Sequence, residues 1–208
     1  KVKRIRFDNL NFKNANAHVI NLSHIEKSKN IKLLGIIGYT ILEDYEIFID
    51  LYLNQITLTK TDHKGNVLGK KPDLEKIVDT IEFSRSKHSI VLNAFIENKK
   101  VRFALDTGAE FNQLNASINK KVLKNFYPKS TVVLNGASGK KIEVVYGNLH
   151  RVKLNDDNYF GPMKTIVTNL SNMSDAFGTH LDGVLGYDFF AQKRVIINYK
   201  KETLYFIN

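Results

Sequence analysis

Residues 103–109 read Phe103-Ala104-Leu105-Asp106-Thr107-Gly108-Ala109. An apolar run ends here on a carboxylate, a hydroxyl and a glycine in immediate succession. Just before it, Val101, Phe103 and Leu105 alternate with Arg102 and Ala104, the period-two pattern of a half-buried strand. Ile90, Leu92 and Phe95 mark an earlier strand, and Glu97-Asn98-Lys99-Lys100 supplies the turn between the two. The sequence therefore predicts a β-hairpin that delivers Asp106 at a strand end.

Downstream, the apolar stretch Asp182-Gly183-Val184-Leu185-Gly186-Tyr187 has a counterpart near the start of the chain. A shift of 148 residues aligns Phe12–Leu58 with Phe160–Phe206 without a gap and gives ten identities over 47 positions. Chance would supply on the order of three, so the chain carries an internal repeat. The identities include Asn21/Asn169, Leu22/Leu170, Ser23/Ser171, Gly35/Gly183, Gly38/Gly186 and Tyr39/Tyr187. Each copy reads as an apolar strand ending in Gly-x-x-Gly, a short helical turn (39–44 and 187–192), and two strands. The turns Leu53-Asn54-Gln55 and Lys200-Lys201-Glu202 join those strands. Between the copies, Thr59–Leu74 is polar and carries Gly65, Gly69 and Pro72, as a linker would. Asp73–Thr80 is expected to form a short helical turn.

Ala104-Leu105-Asp106-Thr107-Gly108-Ala109 resembles the active-site loop of the pepsin-like and retropepsin-like aspartic proteases, including the bacterial-type proteins with duplicated lobes. The resemblance extends beyond the tripeptide. Asn115–Phe126 corresponds to the family's short helix, with Ile118, Val122, Leu123 and Phe126 at helical spacing and Asn115 as the expected N-cap. Gly136, Ala137, Ser138 and Gly139 correspond to its flap. Residues 182–190 match its h-h-Gly-x-x-h-h turn, and Val195–Phe206 its closing strand pair. The resemblance implies an all-β, bilobal acid-protease architecture. Residues 83–208 would form one complete lobe, 61–82 an interlobe linker, and 1–60 the C-terminal part of an incomplete N-terminal lobe.

In that family two aspartates share one proton: the ionised one takes a proton from a bound water and the protonated one donates to the scissile carbonyl. The resemblance thus implies an aspartic endopeptidase in which Asp106 is catalytic and Thr107, Gly108 and Ala109 form its positioning loop. It implies a peptide or protein substrate held as an extended strand, and no cofactor. Only one Asp-Thr-Gly occurs, and subtracting 148 from 106 places its counterpart about forty residues before Lys1. Three arrangements are open: a missing N-terminal half-lobe as a separate or removed piece, a homodimer through the Asp106 lobes, or an inactive chain. The last is the alternative of a non-catalytic peptide-binding or scaffold protein. Lys1 in place of an initiator Met fits processing or trimming.

Other residues read more plainly. Asp50 aligns with Asn198 and Asp182 with Leu34, so both acids are expected to be local structural residues. Glu110, beside the Asp106 loop, would raise the cost of ionising a dyad. The histidines His18, His24, His63, His88, His150 and His180 share no ligand spacing, and no metal is expected. Gly136–Lys141 lacks the pattern of a phosphate loop, and Ser138 lacks a nucleophile elbow.

Composition agrees. With 208 residues, 43% hydrophobic and 25% charged, the chain is long and apolar enough for a core, at about 1.4 times a typical domain length. Without cysteine there is no disulfide, thiolate or Cys-based zinc chemistry. Leu33–Leu42, the longest largely apolar stretch, falls short of the roughly 20 residues of a spanning helix, so no integral membrane segment is expected and a soluble chain is, with its compartment open. The net charge of +10 lies in dispersed lysine clusters with no recognition motif between them, so no nucleic-acid partner is expected.

Overall fold

The computed structural model describes residues 1–8, 10–69, 76–135, 141–156 and 158–207. In chain order the elements are β1 (Val2–Phe7), β2 (Leu10–Ala15), α1 (Ser23–Lys29), α2 (Tyr39–Leu42), β3 (Tyr45–Asp50), β4 (Gln55–Lys60), β5 (Ile77–Glu82), β6 (Ser84–Ser86), β7 (Ser89–Ile96), β8 (Lys99–Leu105) and β9 (Asn112–Asn115). There follow α3 (Lys120–Leu123), β10 (Phe126–Asn135), β11 (Lys141–Leu149), β12 (Val152–Lys153), β13 (Tyr159–Phe160), β14 (Met163–Thr168), α4 (Ser171–Phe177), β15 (Gly183–Leu185), α5 (Tyr187–Phe190), β16 (Arg194–Asn198) and β17 (Thr203–Ile207). The protein is all-β in architecture: among the described residues no helix exceeds seven residues, and none is long and apolar enough to cross a membrane.

The larger sheet runs β10-β11-β14-β9-β15-β8-β7-β12-β13, with β6 against β7. The hairpin predicted before Asp106 is β7–β8, closed by Glu97 and Asn98 at φ of 47° and 58°. Two successive left-handed residues make the tight turn whose twist matches that of the strands it joins. β15 lies between β8, to which it is parallel, and β9, to which it is antiparallel. Val184 and Leu185 are consequently sealed from solvent. Phe103, Phe160, Phe189 and Phe206 fill the core beneath, each contributing about 1.5–3 kcal/mol by burial.

The repeat is visible in the local geometry. In each copy an asparagine oxygen accepts the N–H two residues on: Asn21 Oδ1 from Ser23 at 2.9 Å and Asn169 Oδ1 from Ser171 at 2.8 Å. Helices α1 and α4 follow, and end on left-handed residues 148 positions apart, Asn30 at φ 51° and Gly178 at φ 70°. Helices α2 and α5 start at the same offset behind Gly38 and Gly186. The strands after them meet: β3 pairs antiparallel with β16 at the centre of a five-stranded sheet, β4-β3-β16-β17-β5.

Two local expectations change. The turn expected over Asp73–Thr80 is, in its described part, the strand β5, paired along β17 from Glu82–Thr203 to Ile77–Ile207. It pairs along β17, so part of the region expected to be a linker extends the five-stranded sheet instead. The helix after β9 is also shorter than its spacing implied. Its N-cap is Asn119, whose Oδ1 accepts from Lys121 N–H at 2.9 Å, and Phe126 already belongs to β10. Asn115 ends β9 instead, and its buried Nδ2 donates to the Leu181 carbonyl at 2.9 Å. That long-range bond removes it from capping.

Candidate active site

Asp106 leaves the end of β8 half-buried. Its N–H donates to Leu185 O at 2.9 Å, and its Oδ1 accepts the N–H of Gly108 at 2.8 Å. The N–H of Ala109 returns to Asp106 O at 3.2 Å, closing a tight turn. Thr107 and Gly108 face solvent. A side chain at 108 would put its Cβ 3.3 Å from Asp106 Oδ1, so glycine keeps the carboxylate free to take that backbone bond.

The loop is held from behind by the Gly-x-x-Gly of the second copy. Tyr187 N–H donates to Ala109 O at 2.9 Å, and Gly186 N–H to Asn112 Oδ1 at 2.6 Å. A Cβ on Gly186 would lie 2.5 Å from Ala109 O, and one on Gly183 would lie 2.3 Å from the Phe103 ring. Both glycines permit close approach of three strands. Asn112 is fully buried; its Nδ2 finds no hydrogen-bond partner among the described residues. A single asparagine shows no pattern in sequence, and its part in holding the loop emerges only from the fold.

Phe111, which follows the loop, forms an edge-to-face pair with Tyr146 of β11, with centroids 5.9 Å apart. The pairing of Tyr146 with Phe111 was not legible in the sequence, because nothing local marks which strand packs on Phe111. The predicted flap residues Gly136, Ala137, Ser138 and Gly139 lie outside the described residues. The strands before and after them, β10 and β11, pair up to Asn135–Lys141.

Glu110 is exposed and forms an ion pair with Lys29 of α1, so its charge is met by a cation from the first copy. Asp50 is fully buried at the end of β3, where it accepts the N–H of Leu53 at 2.9 Å. Its counterpart Asn198 accepts the N–H of Lys201 at 3.1 Å in the matching turn. Asp182 accepts the N–H of Arg102 at 2.8 Å. Both acids thus accept backbone N–H groups, Asp50 within its own turn and Asp182 from a strand 80 positions away. No group of His, Asp and Glu suited to a metal occurs among the described residues.

In the first copy the segment matching β15 is bare. Leu34 and Ile36 are 111% and 66% exposed, and a Cβ on Gly35 or Gly38 would meet nothing within 4 Å. Neighbours equivalent to β8 and β9 are absent there among the described residues.

Among solved structures, a retropepsin-like aspartic protease from Rickettsia conorii is similar, with 20% identity over 62% of this chain and 89% of that one and a TM-score of 0.40. No curated protein matches the chain. Residues 92–189 match the family model described as aspartyl protease, a span that takes in the Asp106 loop, β9, β11 and the Gly-x-x-Gly behind them. The matched span covers 98 of the 208 residues, so it is the domain carrying the Asp106 loop that is similar to aspartyl proteases.

Proposed function

We propose that the protein is an aspartic endopeptidase in which Asp106 supplies one of the two carboxylates that activate a water. The observation that carries this is the loop itself: a half-buried carboxylate fixed by the Gly108 N–H, tied to β15 through Leu185, and open to solvent on its outer side. Residues 83–208 act as a complete lobe and residues 1–60 as the C-terminal part of its mate, with 61–82 between them. The second aspartate arrives on a strand seated against 35–37, as β8 is seated against β15. Support for this comes from the 148-residue offset and from the bare Ile36–Ile37 segment. Thr107, with its exposed hydroxyl, reaches across to the partner loop. The substrate lies extended between the Asp106 loop and strands β10 and β11, against Phe111 and Tyr146.

The reaction needs one carboxylate ionised and one protonated. The ionised group draws a proton from water as it attacks the peptide carbonyl, and the protonated group donates to the carbonyl oxygen. Two carboxylates a few ångströms apart favour that state, because ionising both costs Coulomb energy.

The test is cleavage of an unfolded polypeptide by the protein together with the segment or chain that covers 35–37. Asp106→Asn should abolish cleavage while leaving substrate binding in place. If wild type and Asp106→Asn both bind the polypeptide and neither cleaves it, the protein is a peptide-binding scaffold. If Asp106→Asn still cleaves, the assignment of Asp106 is wrong.

A further inference from the structure

The two copies of the repeat meet in β3 and β16, with Ile49 opposite Val195, Phe48 opposite Ile196 and Ile47 opposite Ile197. Phe48 and Ile196 are each other's counterparts at the 148-residue offset. A local two-fold therefore relates the two strands and passes between those two residues. At either end of the pairing sits a shielded polar pair. Asp50, 1% exposed, faces Arg194, whose Nη1 lies 3.8 Å from Oδ2. Asn198, also 1% exposed, donates from Nδ2 to Glu46 Oε1 at 3.0 Å. Asp50 and Asn198 are repeat counterparts, and so are Glu46 and Arg194. The two ends are one site occurring twice, with an acid and a guanidinium in one and an acid and an amide in the other.

The chemistry depends on pairing unlike strands. Two β3 strands from different chains, in the same register, would set Glu46 against Asp50 at both ends and so oppose carboxylates in a shielded seam. Two β16 strands would set Arg194 against Asn198, an amide where the carboxylate had been. Like charges directly opposite on neighbouring strands destabilise a sheet, and the cost grows with burial. Shielded polar pairs of this kind select partner and register better than they stabilise.

We infer that Glu46, Asp50, Arg194 and Asn198 form a pairing key that admits the unlike strand and rejects the like one. The central seam is built from one first-copy strand and one second-copy strand. A symmetric dimer joined through two β3 or two β16 strands is selected against, so a second chain associates through another surface.

Sedimentation equilibrium of the full chain and two variants tests the key. In Glu46→Lys/Arg194→Glu, a pair of β3 strands gains an ammonium group opposite Asp50 at both ends, while the native seam opposes Asp50 to a carboxylate. Its self-association constant should rise about tenfold or more over wild type. In Glu46→Lys/Asn198→Asp the native seam keeps Asp50–Arg194 and gains an ion pair at its other end, and association should return near the wild-type value. Equal association by all three chains overturns the inference. A second measurement covers failure to fold: in urea, the midpoint loss of Asp50→Arg/Arg194→Glu should be smaller than the summed losses of its two single variants. A loss equal to or larger than that sum also overturns it.

Discussion

The carbonyl oxygen of Leu185 accepts the backbone N–H of Asp106 at 2.9 Å, so the apolar strand of the second repeat copy sets the position of the carboxylate. Ile37 is the counterpart of Leu185, and it is exposed. One chain thus shows the same segment with and without the strand that carries an aspartate.

That contrast makes two equivalent glycines behave differently. Gly186→Ala forces a methyl group against Ala109 O and should lower stability by about 1–3 kcal/mol, read from urea unfolding. Gly38→Ala meets open space and should change the stability of the chain itself by less than about 0.5 kcal/mol. If a strand seats on 35–37 in the working enzyme, Gly38→Ala should still weaken its capture. Equal stability losses at the two glycines would contradict the packing described.

Asn112 holds the N–H of Gly186 from a fully buried position. Asn112→Ala leaves that donor without its acceptor and should cost about 1–3 kcal/mol. Thermal or urea unfolding gives the number, and a neutral variant would show that the bond contributes nothing.

Phe111, five residues beyond Asp106, packs edge-to-face on Tyr146. Phe111→Ala should raise KM for peptides with large apolar side chains several-fold and leave small-residue peptides less affected, because the lost contact is apolar area. Steady-state kinetics on a peptide pair decides it; equal effects on both would place Phe111 outside the substrate groove.

Burial, with the neighbouring Tyr39 phenol adding to it, holds the Tyr199 phenol above its ordinary value of 10.0. A raised folded-state value means that the folded chain keeps its proton longer than the unfolded chain. The stabilisation is therefore complete below pH 10 and is lost as pH rises through the folded value. Unfolding free energy should fall on alkaline titration above about pH 10, and Tyr199→Phe should flatten that fall.

Much of this protein follows from its sequence alone. Alternation from Val101 to Leu105 predicts the strand that carries Asp106, because side-chain direction repeats every two residues along a strand whatever lies beside it. The 148-residue offset predicts matching helices and turns, because the Asn21/Asn169 bonds and the left-handed residues Asn54 and Glu202 involve only neighbours in the chain. Tertiary structure alone decided what those pieces meet. Asn115 looked like a cap and became a tie to Leu181; residues 77–82 became an edge strand of β17; Asn112 took the N–H of Gly186. Each depends on pairing with a residue 66–130 positions away, which no local pattern encodes. The pairing of Asp50 with Arg194 and of Glu46 with Asn198 is of the same kind. Its residues are visible in the repeat, but their opposition exists only once β3 and β16 lie antiparallel about Phe48 and Ile196.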